Sequence, residues 1–336
     1  MTRAIVIERR SERADAATSV EPIAKLLDVD DEFLGAGPVR VAVEFSSVNY
    51  KDALAIMGRP GVARTWPLIA GIDLVGTVES SSDERWTPGD RVVLNGAGLG
   101  ESRHGGLAER AHVDGGSLVA IPGELSSERA AAIGTAGFTA MLSVLALERQ
   151  GVLPGSGEVL VTGAAGGVGS VAIALLAKLG YTVTASTGRV EQQSGYLLGL
   201  GAAHILDRHE LSEPGKPLQS QRWAGAIDAV GSHTLANVLA QTNYGGTVTA
   251  CGLAQGADLP ASMAPFILRG VTLAGVNSVE ASLELRQRAW SRLADDLDPA
   301  LLDGMTSVIP LEGVFDRARE VLDGSVRGRT VVSLRA

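Results

Sequence analysis

Thr162-Gly163-Ala164-Ala165-Gly166-Gly167-Val168-Gly169-Ser170 lies between an apolar run, Val159 to Thr162, and a helical stretch, Ser170 to Leu179, that stops at Gly180. Glycines at a strand-to-helix turn let the backbone approach a pyrophosphate, whose charge is then met by amides at the helix N-terminus. A glycine cluster alone is also compatible with a tight turn and no ligand; its setting between strand and helix makes it a dinucleotide-binding fingerprint. Gly166, Gly167, Val168 and Gly169 are its candidate cofactor-binding residues.

Working outward, apolar strands continue to alternate with helical stretches. Thr182 to Ser186 precedes a helix at Gln192 to Leu200, and strand-like runs follow at Ala226 to Val230, Gly246 to Cys251 and Val271 to Val276. Such alternation predicts an α/β domain with a doubly wound parallel sheet. A helix opens it, with Ser127 as cap, Glu128 in the first turn and alanines running to about Gln150. Phe138 and Met141 fall at a helical spacing that suits a core.

The strand after the loop ends in Ala185-Ser186-Thr187-Gly188-Arg189, where an NAD-preferring site would carry Asp or Glu for the ribose hydroxyls. No acid occurs until Glu191. Ser186, Thr187 and Arg189 are instead donors suited to a 2′-phosphate, which predicts NADPH as cofactor. Asp228-Ala229-Val230-Gly231 and Cys251-Gly252 follow strand ends, where ligands sit in open α/β sheets. Cys251 either borders the cofactor or is simply a small buried thiol.

Residues 1–126 read differently. Short alternating runs at Val39 to Phe45, Gly76 to Glu79, Asp90 to Leu94 and Ser117 to Ile121 are divided by Gly, Pro and Asp, the pattern of antiparallel strands. Thr87-Pro88-Gly89-Asp90 is a turn signature ahead of one of them. Beyond 278 the sequence predicts a helix near Leu283 to Leu297 and a last strand, Thr330 to Leu334.

The chain has 336 residues, room for two domains, and with 45% hydrophobic but only 4% aromatic residues its cores must be mainly aliphatic. A net charge of −9 with scattered cations gives no footprint for nucleic acid. The single cysteine leaves no intrachain disulfide or multi-cysteine metal site and fits a reducing cytoplasm. The N-terminal run lacks the order of a signal peptide, and no uncharged stretch reaches membrane-spanning length, so no membrane partner is expected.

Gly163, Gly167 and Gly169 also satisfy the loop pattern of short-chain dehydrogenases. Those enzymes resemble one domain with the loop near its start and a Tyr-x-x-x-Lys pair, and none of Tyr50, Tyr181, Tyr196 or Tyr244 has Lys four residues on. Other segments resemble the medium-chain dehydrogenase/reductase superfamily: Val48-Asn49-Tyr50-Lys51-Asp52, Gly71-Ile72-Asp73-Leu74-Val75-Gly76, Gly89-Asp90-Arg91-Val92, Gly105-Gly106-Leu107-Ala108-Glu109 and Gly134-Thr135-Ala136-Gly137-Phe138-Thr139-Ala140. The resemblance implies a GroES-like β-rich catalytic domain from both chain ends, 1–126 and 278–336, an inserted Rossmann domain, 127–277, and a homodimer.

Zinc-dependent members place Cys near Asn49 and a His-Glu pair at Ile72-Asp73. This chain lacks them, and His104, His112, His204, His209 and His233 have no metal-ligand spacing, so no metal is expected. Asn49-Tyr50-Lys51-Asp52-Ala53-Leu54, the Ser-x-Gly-Arg strand end and Pro265-Phe266-Ile267-Leu268-Arg269-Gly270-Val271 are similar to the quinone-oxidoreductase-like branch with the acrylyl-CoA reductase (YhdH/AcuI) group. Departures are Asn277, where that branch suggests Asp, and a longer, more acidic stretch at Ala14 to Leu34.

The resemblance implies NADPH-dependent reduction of a double bond conjugated to a thioester. The small-molecule substrate is then an acyl-CoA, or a quinone or enone in the rival reading; a non-catalytic NADPH-binding protein is the alternative outside enzymes. It further implies Asn49, Tyr50, Asp52 and Asp73 as catalytic-site residues, with Thr135 near the nicotinamide and Arg329 reaching the cofactor or pocket. Arg59, Arg64 and Arg103 are candidate cations for acyl-CoA phosphates.

Overall fold

A computed structural model describes residues 1–9 and 24–335; of the acidic 14–34 stretch, positions 14–23 lie outside the described residues. The chain divides into two compact units, the first Met1–Thr135, Ser278–Ala294 and Met305–Ala336, the second Ala136–Asn277 and Asp295–Gly304.

The first unit is β-rich. Its early strands are β1 (Thr2–Ile7), β2 (Ala24–Val29), β3 (Val39–Ser47), β4 (Leu68–Ile69), β5 (Asp73–Ser81), β6 (Arg91–Asn95), β7 (Arg110–Val113) and β8 (Val119–Ala120). In β3 the alternation Val39, Val41, Val43, Phe45 points apolar side chains to the buried face. The three valines join Ile5, Leu74, Val92, Leu94 and Val332 in one aliphatic core.

The second unit holds β9 (Glu158–Val161), β10 (Thr182–Thr187), β11 (His204–Asp207), β12 (Trp223–Asp228), β13 (Thr242–Ala250) and β14 (Thr272–Gly275). They form a sheet in the order β11-β10-β9-β12-β13-β14 with every pairing parallel. The order reverses at β9, the switch point where open α/β sheets bind ligands. β9 and β12 are buried throughout but for Glu158, as strands covered on both faces should be. Leu160, Trp223, Ala226, Val238, Leu239 and Val248 make this core.

The chain then returns to the first unit through β15 (Thr306–Pro310) and β16 (Arg329–Ser333). β16 pairs with β3 antiparallel and with β15 parallel, so both chain ends build one seven-stranded sheet. Among the elements the sequence pattern missed are β2, β7, β11, β15 and helices at Ser232–Gln241 and Val314–Leu322. β11 has only four residues and exposes two of them, too few to show a period.

Helix α1 (Tyr50–Ile56) follows β3, and α2 (Ser127–Arg149) begins at the expected Ser127. α2 is broken at Gly134, whose φ of 48° and ψ of −161° are not helical and suit glycine alone. Among the described residues it is the one helix long and apolar enough to cross a membrane, yet 94% of its apolar window is buried inside the protein, as in a core helix. Phe138 and Met141 on it are fully buried. α3 (Gly167–Lys178) and α4 (Val190–Gly199) follow β9 and β10.

Truncating Phe138 removes a fully buried ring. Phe138→Ala should lower stability by about 3–5 kcal/mol in denaturant unfolding, whereas a loss below ~1 kcal/mol would mean that the site collapses around the gap.

Candidate active site

Two side-chain constellations stand out, one in each unit. The first is centred on Asp73, the fully buried opening residue of β5. Its Oδ1 accepts from Asn95 Nδ2 at 2.7 Å, from Thr135 Oγ1 at 2.6 Å and from the Thr135 amide at 2.9 Å. Its Oδ2 accepts from Asn49 Nδ2 at 2.8 Å and from the Ser47 hydroxyl. A buried carboxylate needs a countercharge as well as donors, and Arg329 supplies it with a nitrogen 3.9 Å from Oδ2.

Arg329 opens β16 and is itself buried. Its Nε donates to the Ala132 carbonyl at 2.6 Å, and its two terminal nitrogens donate to Asn49 Oδ1 at 3.2 Å and Ser47 Oγ at 3.0 Å. Burial pushes its pKa down, while Asp73 and Asp52 push back toward the charged form. The break in α2 makes room for this cluster. A Cβ on Gly134 would lie 2.5 Å from the guanidinium and 2.6 Å from Asp73 Oδ2.

Asn49 caps α1 and is oriented at both ends of its amide. Besides Asp73, its Nδ2 reaches Asp52 Oδ2 and Ser47 Oγ, each at 3.1 Å, while Oδ1 takes the guanidinium. Asp52 accepts from the Asn49 amide and, on its other oxygen, from the Ile72 amide, both at 2.8 Å. Its burial is complete, and desolvation, then repulsion from Asp73, pushes its pKa up to about 7. Asn49, Asp52 and Asp73, with Thr135 and Arg329, are thus brought together. Tyr50 is not: its side chain is exposed at the start of α1.

Ser47 and Asn95 belong to the cluster and escaped the sequence reading. Ser47 lies in the plain strand end Phe45-Ser46-Ser47, and Asn95 at the last position of β6, where only the register shows it opposite Asp73.

In the second unit Gly166 caps α3, the turn closed by its amide on the Gly163 carbonyl at 2.9 Å. A Cβ on Gly169 would stand 2.5 Å from that carbonyl and 2.7 Å from Ala164 Cα, so loop and helix pack as only glycine allows. Gly167 and Val168 form the first helical turn. Ser186 and Thr187 end β10, and the Arg189 amide donates to Thr187 Oγ1 at 3.3 Å as α4 begins.

Arg208, just past β11, lies across Gly188, where a Cβ would collide with its side chain. The sequence reading omitted it because β11 went unrecognised. Tyr196 on α4 donates to Ser170 at 2.8 Å, tying that helix to α3.

Asp228 ends β12 and holds the turn after it, accepting from Thr162 Oγ1 at 2.7 Å and from the Gly231 amide at 2.8 Å; burial raises its pKa. Cys251 lies beside it, its thiol 3.3 Å from the Asp228 carbonyl oxygen. Burial, then Asp228, pushes the thiol up to about 12, so it carries no thiolate at neutral pH.

A GroES-like β domain with a parallel nucleotide-binding sheet is the architecture of medium-chain dehydrogenases/reductases. Residues 35–123 match the alcohol dehydrogenase GroES-like domain family, and residues 167–295 match the zinc-binding dehydrogenase family. The chain is 49% identical to a Ruegeria pomeroyi protein named acrylyl-CoA reductase AcuI, over 100% of both chains. It is 44% identical to a Bacillus subtilis protein named putative quinone oxidoreductase YhfP, covering 91% of this chain and 93% of the relative. The crystal structure of the Salmonella enterica yhdH oxidoreductase in complex with NADP superposes with a TM-score of 0.94 at 49% identity, covering both chains fully. The chain belongs to the medium-chain dehydrogenase/reductase superfamily, in the group of AcuI and YhdH.

The donor set does not fit the zinc of the family description. Asn49, Ile72 and Asp73 stand where zinc-dependent members carry ligands, and the lone pairs of Asp73 are taken by protein donors. Among the described residues no group of three or more His, Cys, Asp or Glu is placed to hold a metal ion.

The raised pKa of Asp52 fixes the sign of a pH effect. Between its ordinary value of 3.8 and about 7 the unfolded chain has lost this proton and the folded chain keeps it, so stability falls as pH rises through that window. Asp52→Asn should flatten the slope of unfolding free energy between pH 5 and pH 7, measured by urea titration; an unchanged slope would assign the effect elsewhere.

Proposed function

We propose that this chain is an NADPH-dependent reductase that converts acrylyl-CoA to propionyl-CoA. The observation that carries the reading is its 49% identity, along the full length of both chains, to the protein named acrylyl-CoA reductase AcuI. The loop geometry supports the cofactor. The close approach of Gly169 to the Gly163 carbonyl fixes the turn between strand and helix, and the first-turn amides of α3 have no acceptor within the helix.

Gly166, Gly167, Val168 and Gly169 would hold the pyrophosphate, and Ser186, Thr187, Arg189 and Arg208 the 2′-phosphate. Thr135 and Cys251 complete the proposed cofactor contacts. When bound, NADPH supplies the hydride that adds to the β carbon of the conjugated thioester. Charge moves to the thioester oxygen, and the α carbon is then protonated.

The chain's own part is electrostatic. Asn49 is the amide on the substrate side, and because Asp73, Asp52 and Arg329 already engage both ends of it, its proposed part is to hold the wall of the site in place before substrate arrives. Arg329 provides the positive charge of the cluster, and Asp52 positions Asn49 through its amide. Tyr50, exposed next to Asn49, lines the substrate side. We assign residues 1–126 and 278–336 to catalysis and 127–277 to cofactor binding. We also assign the protein to the cytoplasm and to a homodimer; exposed Met263, Ile267 and Leu268 and the edge position of β14 support the latter.

A second reading, reduction of quinones or other enones, is favoured by the name of the Bacillus relative. Following NADPH absorbance with acrylyl-CoA, crotonyl-CoA and a simple quinone separates the two. Turnover is expected with acrylyl-CoA and NADPH, and turnover with quinone alone would transfer the function to the second reading. Arg189→Ala should weaken NADPH binding by about 1.5–3 kcal/mol and leave NADH binding nearly untouched. Equal losses for both cofactors would remove Arg189 from the 2′-phosphate site.

A further inference from the structure

Lys51, Arg59 and Arg64 lie in the helix and loop that directly follow Asn49. Lys51 is in the first turn of α1, and Arg59 stands just past its end, its amide donating to the Leu54 carbonyl at 2.8 Å. Arg64 is anchored through its amide to the Glu101 carbonyl at 2.7 Å. Glu101 gathers two of the three cations: one carboxylate oxygen is 2.7 Å from Lys51 Nζ and the other 3.7 Å from an Arg64 terminal nitrogen.

The carboxylate is the buried partner, 9% exposed, while Lys51 keeps 44% and Arg64 70% of its side chain in solvent. Glu101 therefore fixes two cations in place and cancels only one. With exposed Arg59, the three cations and Glu101 together carry a net charge of +2 on a chain whose total is −9. Arg103 is excluded from the group, since it faces Asp114 at 3.9 Å.

Spacing and shape also matter. Lys51 lies in the first turn of α1 and Arg59 just past its end, so most of the helix, about 8 Å at the rise of a helix, separates their positions. The same loop, 57–67, carries Trp66 with 44% of its surface exposed, an aromatic face of the kind on which bases stack. Cations spread over such a length beside an aromatic face suit an adenosine bearing a 5′-diphosphate and a further ribose phosphate. A quinone has no group for them.

We propose that Lys51, Arg59 and Arg64, held by Glu101, form the subsite for the phosphorylated adenosine end of a CoA thioester, with Trp66 as the platform for adenine. The inference rests on the acyl-CoA reading above. Arg supplies planar, charge-assisted hydrogen bonds to phosphate oxygens, and such bonds at a solvent-exposed site weaken with salt. The subsite binds a part of the substrate remote from the reacting double bond, so it sets KM for CoA thioesters more than it sets the chemistry.

The test compares acrylyl-CoA with acrylyl-pantetheine, which lacks the nucleotide, in wild type and in Arg59→Gln/Arg64→Gln. The ratio of kcat/KM for the two thioesters should fall by at least about ten-fold in the double variant, given the strength of hydrogen bonds to charged groups. KM for acrylyl-CoA alone should rise with ionic strength, and Trp66→Ala should lower the same ratio. An unchanged ratio in the double variant overturns the subsite. If wild type reduces neither thioester, the proposed function falls, and equilibrium binding of coenzyme A to the NADPH-loaded protein decides the subsite separately: ten-fold weaker binding by the variant sustains it, equal binding overturns it.

Discussion

A fully buried carboxylate sits at the start of β5, and its neighbours in the first unit converge on it with donors. Asp73 takes donors from β3, α1, β6 and α2, and its countercharge from β16 at the far end of the chain. Removing any one donor leaves a buried charge short of a partner, which costs more than the contact is worth when made. The same demand explains the broken helix at Gly134, since any side chain there would enter the space of the guanidinium and the carboxylate. What orders the strands of this unit also orients Asn49, so fold and proposed chemistry depend on one network.

The second unit solves a different problem with hardly any side-chain chemistry. Its work is done by backbone: the closed turn at Gly163 and Gly166, the close approach at Gly169 and the parallel strands that aim the loop. This is why the glycine motif could be read from sequence, because the requirement for no side chain leaves a direct mark on residue type. The proposed 2′-phosphate donors Ser186, Thr187 and Arg189 were picked out for a related reason, as they occupy a strand end whose usual acid is missing.

The first unit was legible in outline and not in detail. Alternation revealed β3, β5 and β6, and motif resemblance picked out Asn49, Asp52, Asp73, Thr135 and Arg329, but neither could show that these side chains converge. Convergence depends on register across strands far apart in sequence, which places Asn95 opposite Asp73 and brings Arg329 to Asn49 over 280 positions. Ser47 and Asn95 carry no motif, and Arg208 was hidden behind a strand of four residues. Tyr50 shows the converse, a motif residue whose side chain turns outward from the cluster formed by its neighbours.

The polar network of the first unit depends on Asp73 at its centre. Asp73→Asn keeps the shape, removes the charge and turns an amide hydrogen toward donors, leaving Arg329 buried without its counterion. Denaturant unfolding of this variant should show a loss of about 3–5 kcal/mol, the cost of breaking a buried ion pair from one side. An unfolding midpoint equal to that of the wild type would contradict the account, because the network would then be a consequence of the fold and not its support.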